Sequence, residues 1–347
     1  MTKQLTALGG DTFAGLFTLG VKQAGFKVLG TLENCDYGAK TMRLNHPEVE
    51  QFIGHENWGD VGRYATQVDL MFTQPPCAPW SAARGGNQTT WRNDPRLSWT
   101  PNLIDAALVI QPKAYVWESV CNAWRHGREY VLEQAQKFAN AGYSVTVLLQ
   151  NNMYLGCSQD RPRMFMIAHK HPLVWPPLTA PVPVGKLLKT VKVPKRDHRP
   201  LCDEYNQYLW EQAATLKGSM RRAHDLAPLE LRTGRFPCFL DRRLMTDKVA
   251  PVLLGGKASR LHPTEPRYLD VKEYLAMCGM ADVDWQWCNS SIDTLARELS
   301  RSVMPPVGKW LAEAVKAGLA QRPMKVPQYR VVDMRNGPDS ITTQDLW

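Results

Sequence analysis

The apolar run Val68-Asp69-Leu70-Met71-Phe72-Thr73 leads directly into Gln74-Pro75-Pro76-Cys77-Ala78-Pro79-Trp80-Ser81. The run is short and has no helical period, which predicts a buried strand. Two prolines then fix the backbone just ahead of a thiol. Open α/β sheets expose reactive groups at the carboxyl ends of their parallel strands. Taken alone, the stretch fits a thiolate nucleophile, and it also fits a cysteine buried in a proline turn.

Further strands are expected at residues 27–31, 114–117, 144–149 and 164–168. Helices are expected between them, at 101–110 and at 131–141, where Val131, Ala135 and Phe138 share one face. Strands alternating with helices predict a βαβ arrangement over residues 1–170. Polar groups gather at the predicted strand ends. Glu118, in Val116-Trp117-Glu118-Ser119-Val120, fits an acid whose pKa is raised by burial, or a helix cap or surface ion pair. Arg161 and Arg163, in Gln159-Asp160-Arg161-Pro162-Arg163, point to one side of a strand. They fit substrate binding and carboxylate bracing, or an exposed basic strand end. Near the start, Asp11-Thr12-Phe13-Ala14-Gly15-Leu16 is followed by Glu33-Asn34-Cys35-Asp36. A glycine turn followed about 20 residues later by an acid suits a nucleotide-like cofactor and its ribose hydroxyls. Asp60, after Trp58-Gly59, adds a carboxylate able to meet an amino group.

The chain has 347 residues, of which 44% are hydrophobic and 22% charged. That is the composition of a globular protein of about two domains. No apolar stretch nears the roughly 18 residues of a membrane span. The first residues, Met1-Thr2-Lys3-Gln4-Leu5-Thr6, lack the apolar core of a leader, so a cytoplasmic protein is expected. None of the eight cysteines forms a Cys-x-x-Cys pair, so neither a disulfide framework nor a metal site is expected. The net charge is +9, and residues 172–258 hold 15 Lys/Arg against 8 Asp/Glu. Such a local excess attracts phosphate backbones or forms a solvated basic surface. This zone is proline-rich, with prolines at 172, 176, 177, 181, 183, 194 and 200, which argues against a regular sheet. One helix is expected there, capped by Asp203 and carrying Tyr205, Tyr208, Leu209, Ala213 and Leu216. Helices resume at 271–278 and after Pro305-Pro306, where Val307, Trp310, Leu311, Ala314 and Val315 form a stripe. Residues 321–347 show no pattern and are expected to form a tail, docked or mobile.

The order of these pieces resembles the C5-cytosine-specific DNA methyltransferase family. Phe13-Ala14-Gly15 is similar to its cofactor motif, Glu33 to its ribose-binding acid and Gly59-Asp60-Val61 to its adenine contact. Pro75-Pro76-Cys77 resembles the nucleophile motif, Glu118-Ser119-Val120 the Glu-Asn-Val motif, and Gln159-x-Arg161-x-Arg163 the Gln-x-Arg-x-Arg motif. Arg267-Tyr268-Leu269-x-x-Lys272-Glu273 and Ser302-Val303-Met304-Pro305-Pro306 resemble the last two motifs. The resemblance spans residues 8–318.

It implies an α/β fold, a Rossmann-like S-adenosylmethionine-dependent methyltransferase sheet with a small, irregular target-recognition domain. Residues 1–170 and 259–320 would form a discontinuous catalytic and cofactor domain, and 171–258 the recognition domain. Catalysis would fall to Cys77, Glu118, Arg161 and Arg163. The Cys77 thiolate would add to cytosine C6, Glu118 would hold N3 and N4, Arg163 would bind the O2 side, and Arg161 would support Glu118. Phe13, Ala14, Gly15, Leu16, Glu33, Asn34, Asp60, Val61, Pro75, Ser302 and Val303 would hold S-adenosylmethionine. The partner would be double-stranded DNA, with the target base flipped out at a cost of a few kcal/mol. The polar stretch 78–96 would close over it as a lid. The protein would act as a monomer inside a bacterial or phage-infected cell, in a restriction-modification setting; whether a cognate restriction endonuclease accompanies it is not written in the sequence.

The chain departs from the family pattern at Phe17 and Thr18, where glycines are usual, and at Ser119 and Ser302, where Asn is usual. Phe17 and Ser302 predict a reshaped cofactor pocket, with weaker S-adenosylmethionine binding or acceptance of a modified analogue. Two other readings stand beside the favoured one: a catalytically silent DNA-binding homologue, and a tRNA cytosine-C5 methyltransferase.

Overall fold

The computed structural model describes residues 4–81, 88–201, 204, 207, 210–211, 243–253, 260–289 and 291–346. In chain order, nine strands build one sheet. They are β1 (Thr6–Gly10), β2 (Lys27–Glu33), β3 (Glu50–Ile53), β4 (Leu70–Thr73), β5 (Ala114–Val120), β6 (Ser144–Asn151), β7 (Pro162–His169), β8 (Tyr329–Asp333) and β9 (Thr342–Asp345). Across the sheet they lie in the order β9-β8-β6-β7-β5-β4-β1-β2-β3. β7 is antiparallel to both β5 and β6, and β9 is antiparallel to β8; the other pairings are parallel. The carboxyl ends of β1, β4, β5, β6 and β8 therefore share one edge with the amino ends of β7 and β9.

Successive side chains on a strand face opposite ways, and the central strands bury both faces. Leu70 and Phe72 of β4 and Val116 of β5 belong to one core, while Met71, Tyr115 and Trp117 belong to the other. Nine helices have described bounds: α1 (Leu16–Gln23), α2 (Ala39–Asn45), α3 (Trp99–Ile110), α4 (Cys121–His126), α5 (Arg128–Asn140), α6 (Val184–Leu188), α7 (Val271–Met277), α8 (Ile292–Arg301) and α9 (Pro305–Leu319). α1 and α9 cover the first face with Phe17, Val307 and Leu311. α3 and α5 cover the second with Leu103, Ile104, Val131 and Phe138. This is the layered α/β architecture the alternating pattern predicts. No helix among the described residues is long and apolar enough to cross a membrane.

The return of α9 to the start of the chain depends on small residues. A Cβ on Gly20 of α1 would lie 2.3 Å from the Pro305 carbonyl oxygen and 2.7 Å from the Lys309 amide nitrogen. Opposite it, Gly308 of α9 leaves room for the Phe17 ring, whose Cδ2 would be 2.8 Å from an added Cβ. In an isolated helix alanine is favoured over glycine by about 1 kcal/mol. Here the neighbouring atoms are backbone and cannot swing away. Gly20→Ala is therefore expected to lower stability by about 1–3 kcal/mol. Urea unfolding at unchanged m-value measures it; a stabilised variant would show that the helices part freely.

The pattern-free segment 321–347 is not a separate tail. Its β8 pairs in parallel with β6, with Val331 opposite Val147, and β9 closes the sheet edge. Among the helical positions expected after Asp203, Glu204, Gln207, Trp210 and Glu211 are helical. Asp203, Tyr205, Tyr208, Leu209, Ala213 and Leu216 lie outside the described residues.

Candidate active site

The turn leaving β1 adopts an unusual backbone: Asp11, Phe13 and Gly15 have φ of 48°, 57° and 87°. The left-handed region costs non-glycine residues free energy and persists only where surroundings enforce it. Here the Asp11 carboxylate accepts from the Asn34 amide at 2.7 Å and from Asn34 Nδ2 at 2.9 Å. Glu33 Oε1 accepts from the Thr12 amide at 3.0 Å and from Thr12 Oγ1 at 2.8 Å. The turn thus presents two carboxylates and the Phe13 ring, which stacks on Tyr37 with centroids 4.9 Å apart. Burial, reinforced by repulsion from Glu33, pushes the Asp11 carboxyl up to about 8. Burial likewise raises Glu33. No salt bridge reaches either carboxylate among the described residues.

Cys77 follows β4 and opens a single 3-10 turn, Ala78–Trp80. Trp80 anchors that turn in an aromatic cluster, 6.2 Å from Trp117, 6.1 Å from Trp91 and 5.6 Å from Tyr130 between ring centroids. Both Trp80 and Trp91 are buried. The lid expected over 78–96 is therefore pinned on either side, and residues 82–87 between the pins lie outside the described residues.

β5 and β7 bring the next groups together. Their antiparallel register sets Val120 opposite Arg163, and Arg163 Nε donates to Glu118 Oε1 at 3.0 Å. Glu118 is buried, which raises its pKa, while Arg163 and Arg161 act against the rise. Arg161 is almost wholly buried; its Nη2 donates to the Ser302 carbonyl at 3.0 Å. Its Nη1 has no hydrogen-bond partner among the described residues. Desolvation, with Arg163 adding repulsion, lowers its pKa to about 9. The Cys77 thiol is raised by burial first and by Glu118 second, with both arginines opposing. The resting site therefore holds a thiol. Phe13, Glu33, Pro75, Cys77, Glu118, Arg161 and Arg163 all line a single cavity of about 720 Å³.

The sequence profile of the C-5 cytosine-specific DNA methylase family matches residues 10–317. The chain belongs to that family. Among its relatives is the Type II methyltransferase M.AplI of Arthrospira platensis, 25% identical over 331 residues, 92% of this chain and 88% of the relative. Two solved structures share the fold. One is an Escherichia coli prophage-encoded protein described as a DNA modification methyltransferase (TM-score 0.64, 17% identity, 91% of this chain and 100% of that one). The other is the Entamoeba histolytica methyltransferase EhMeth (TM-score 0.63, 14% identity, 92% and 100%).

Several expected cofactor residues of this methylase are not among those lining the cavity. Ala14 and Leu16 are buried. Gly15 takes the positive φ that starts α1, and Asn34 braces Asp11. Asp60 caps the turn Val61–Tyr64 by accepting from the Gly62 amide at 2.8 Å. Ser302 donates its hydroxyl to the Glu298 carbonyl at 2.8 Å, and Val303 donates its amide to Gln74 Oε1 at 3.1 Å.

The reshaped pocket expected from Phe17 and Ser302 does not follow from where these residues lie. Phe17 packs on Phe72, with centroids 4.9 Å apart, in the core beneath α9. Neither it nor Thr18, Ser119 or Ser302 lines the cavity. Ser119 follows Glu118 on a strand and so faces away from it. The cavity also takes in Asp11, Tyr37, Gln74, Arg301 and Leu253, none of which was singled out for the site from sequence. Asp11 and Gln74 carried a signal, each by its place in a quoted stretch. Tyr37 and Arg301 meet through space, guanidinium to phenol oxygen, with Arg301 5.0 Å from the ring centroid.

Proposed function

We propose that this chain methylates C5 of cytosine in duplex DNA, with Cys77 as nucleophile and S-adenosylmethionine as methyl donor. The observation that carries the proposal is one cavity shared by the Cys77 thiol, the Glu118–Arg163 pair and the Asp11–Phe13–Glu33 turn. Cytosine C5 is a weak nucleophile. Sulfur addition at C6 with proton delivery at N3 turns the ring into an enamine that attacks through C5. Cys77 forms the bond, Glu118 gives the proton, and Arg163 orients Glu118 while facing the ring. Arg161, bonded to the Ser302 carbonyl, supports the carboxylate through its charge. Loss of the C5 proton to a base then lets the thiolate leave. A stacked base cannot reach a thiol at the bottom of this cavity, so the cytosine must swing out of the duplex. Residues 171–258, with their basic excess, read the surrounding DNA.

When bound, S-adenosylmethionine supplies an electrophilic methyl on a sulfonium. The residues present suit it: two buried carboxylates, without ion-pair partners among the described residues, can accept ribose hydroxyls and stabilise a cationic ligand, and the half-buried Phe13 with the exposed Tyr37 offers a stacking face. With Phe17 packed into the core, the ordinary cofactor is expected rather than a modified analogue. Methyl-³H transfer to cytosine-containing duplex DNA, with tRNA in parallel, tests the function. Label at duplex cytosine C5 supports it, and label in tRNA alone, or in neither, overturns it.

The Asp11 carboxyl makes a pH prediction. Its folded-state pKa of about 8 lies above the ordinary 3.8, so between those values the free folded state binds a proton that the unfolded state releases. Its contribution to stability is present at low pH and is lost as pH rises toward about 8. A cationic or hydroxyl-donating ligand wants the carboxylate, so affinity rises over the same window. Asp11→Asn is expected to stabilise the free protein at pH 8–9 and to flatten the pH dependence of cofactor affinity. Calorimetric titration at pH 6–9 reads this; identical profiles for both proteins would refute it.

A further inference from the structure

A second cavity, of about 330 Å³, lies beside the catalytic one. Cys121, at the start of α4, lines both. Three arginines face the second cavity, Arg125 and Arg128 from the α4–α5 region and Arg335 just beyond β8, against a single acid, Asp333. Arg335 is held by Asp333, Nε to Oδ1 at 2.9 Å, in a pose that sets its guanidinium beside Cys121. Arg128 lies over the Trp124 ring at 4.7 Å from the centroid. Both Arg125 and Arg128 are exposed, and among the described residues no carboxylate pairs with either. Two cations so placed repel each other unless an anion joins them.

The topology says which anion. Along the carboxyl edge of the sheet the Asp11–Glu33 turn sits at β1 and β2, Cys77 and Glu118 at β4 and β5, and the arginine cavity at β8 and β9. The arginines thus lie on the side of the central cavity away from the cofactor turn, where a phosphate flanking a base held in that cavity can meet them. The hairpin β8–β9 that supplies Arg335 lies beyond residues 10–317, the part matched by the family profile. Arg125 and Arg128 lie within the matched part, so the seat joins that part to the hairpin. We propose that the cavity between α4 and the β8–β9 hairpin seats a backbone phosphate of the substrate strand next to the flipped cytidine. The inference rests on the function proposed above.

The test combines Arg125→Ala/Arg128→Ala, both at exposed positions, with duplexes carrying one neutral methylphosphonate linkage at successive positions around the target cytosine. The double variant should bind duplex DNA about tenfold more weakly at 0.1 M salt, with the slope of log K against log salt reduced by about one to two. One neutral linkage flanking the target should weaken the unaltered protein and leave the variant unaffected, because the contact is already gone. A melting temperature held by the variant excludes misfolding. If it fails, Arg125→Lys/Arg128→Lys, which keeps the charge, must restore both binding and melting. An unchanged salt slope overturns the seat, as does equal sensitivity of both proteins at every linkage. Free inorganic phosphate competing at millimolar concentration without any linkage effect would mark a small-anion site and would also overturn it. Methyl transfer by the unaltered protein separates the two ideas. Transfer with an indistinguishable variant removes the phosphate seat alone, whereas no duplex binding and no transfer removes both.

Discussion

Cys77→Ser is expected to lower methyl transfer by roughly 10⁴-fold or more, with duplex binding held within about threefold. A serine hydroxyl does not ionise near neutral pH, and an oxygen at this position would be a far poorer nucleophile toward C6. The environment sharpens the contrast. Burial and the neighbouring Glu118 raise even the thiol, so the resting protein holds Cys77 protonated and does not carry a ready thiolate. Entry of cytosine changes the balance. While Glu118 holds the proton destined for N3 it places no charge on Cys77, and Arg161 and Arg163 stay in place to favour the thiolate. A duplex with 5-fluorocytosine at the target has no C5 proton to release, so the reaction should stall as a covalent adduct. Peptide mapping should find that adduct on Cys77 in the unaltered protein and nowhere in the serine variant. Full activity in Cys77→Ser, or an adduct on Cys35 or Cys121 of the same cavity, would end the assignment.

Much of the central sheet was legible because its strands are buried on both faces. Leu70–Thr73 and Ser144–Asn151 read as short apolar runs, and the structure lengthens or trims them by a few residues only. The edges were not legible, for the same reason reversed. At one edge β3 is Glu50-Gln51-Phe52-Ile53, half-covered from Gln51 on; at the other β9 is Thr342-Thr343-Gln344-Asp345 with no apolar residue, and β8 beside it shows only Val331 and Val332 as apolar neighbours. Half-buried edge strands need few apolar side chains and leave little pattern. The candidate catalytic cluster could be read because Cys77, Glu118 and Arg163 sit at ends of central strands, where topology itself gathers side chains. Phe17 could not. A phenylalanine at a usual glycine position reads as an obstruction, yet Gly308 on α9 makes room for its ring. Compensation between residues so far apart in the chain leaves no local trace. Tyr37 and Arg301 escaped notice for the same reason, since their contact is purely tertiary.

Glu118→Gln is expected to reduce the rate by about 10²–10⁴-fold, and its pH profile distinguishes a proton donor from a structural brace. Glu118 and Cys77 are both raised by burial, and the Glu118 charge raises Cys77 further. The two groups therefore titrate as a pair, and the reactive form carries one proton between them. Below the Glu118 step the pair carries two protons and sulfur cannot attack. Above the Cys77 step it carries none, and N3 has no donor. The rate should plateau between the steps and fall on both sides, with both limbs displaced toward alkaline pH relative to ordinary Glu and Cys. Glutamine nearly matches the size of glutamate and can still face Arg163, but it neither carries the proton nor repels the thiolate. The acid limb assigned to Glu118 should therefore vanish in the variant, and the Cys77 step should move to lower pH because its carboxylate neighbour is gone. Thiol alkylation rates across pH read the second effect without any turnover. If the acid limb persists in Glu118→Gln and the thiol step stays where it was, Glu118 only holds the ring in place, and the proton reaches N3 from elsewhere.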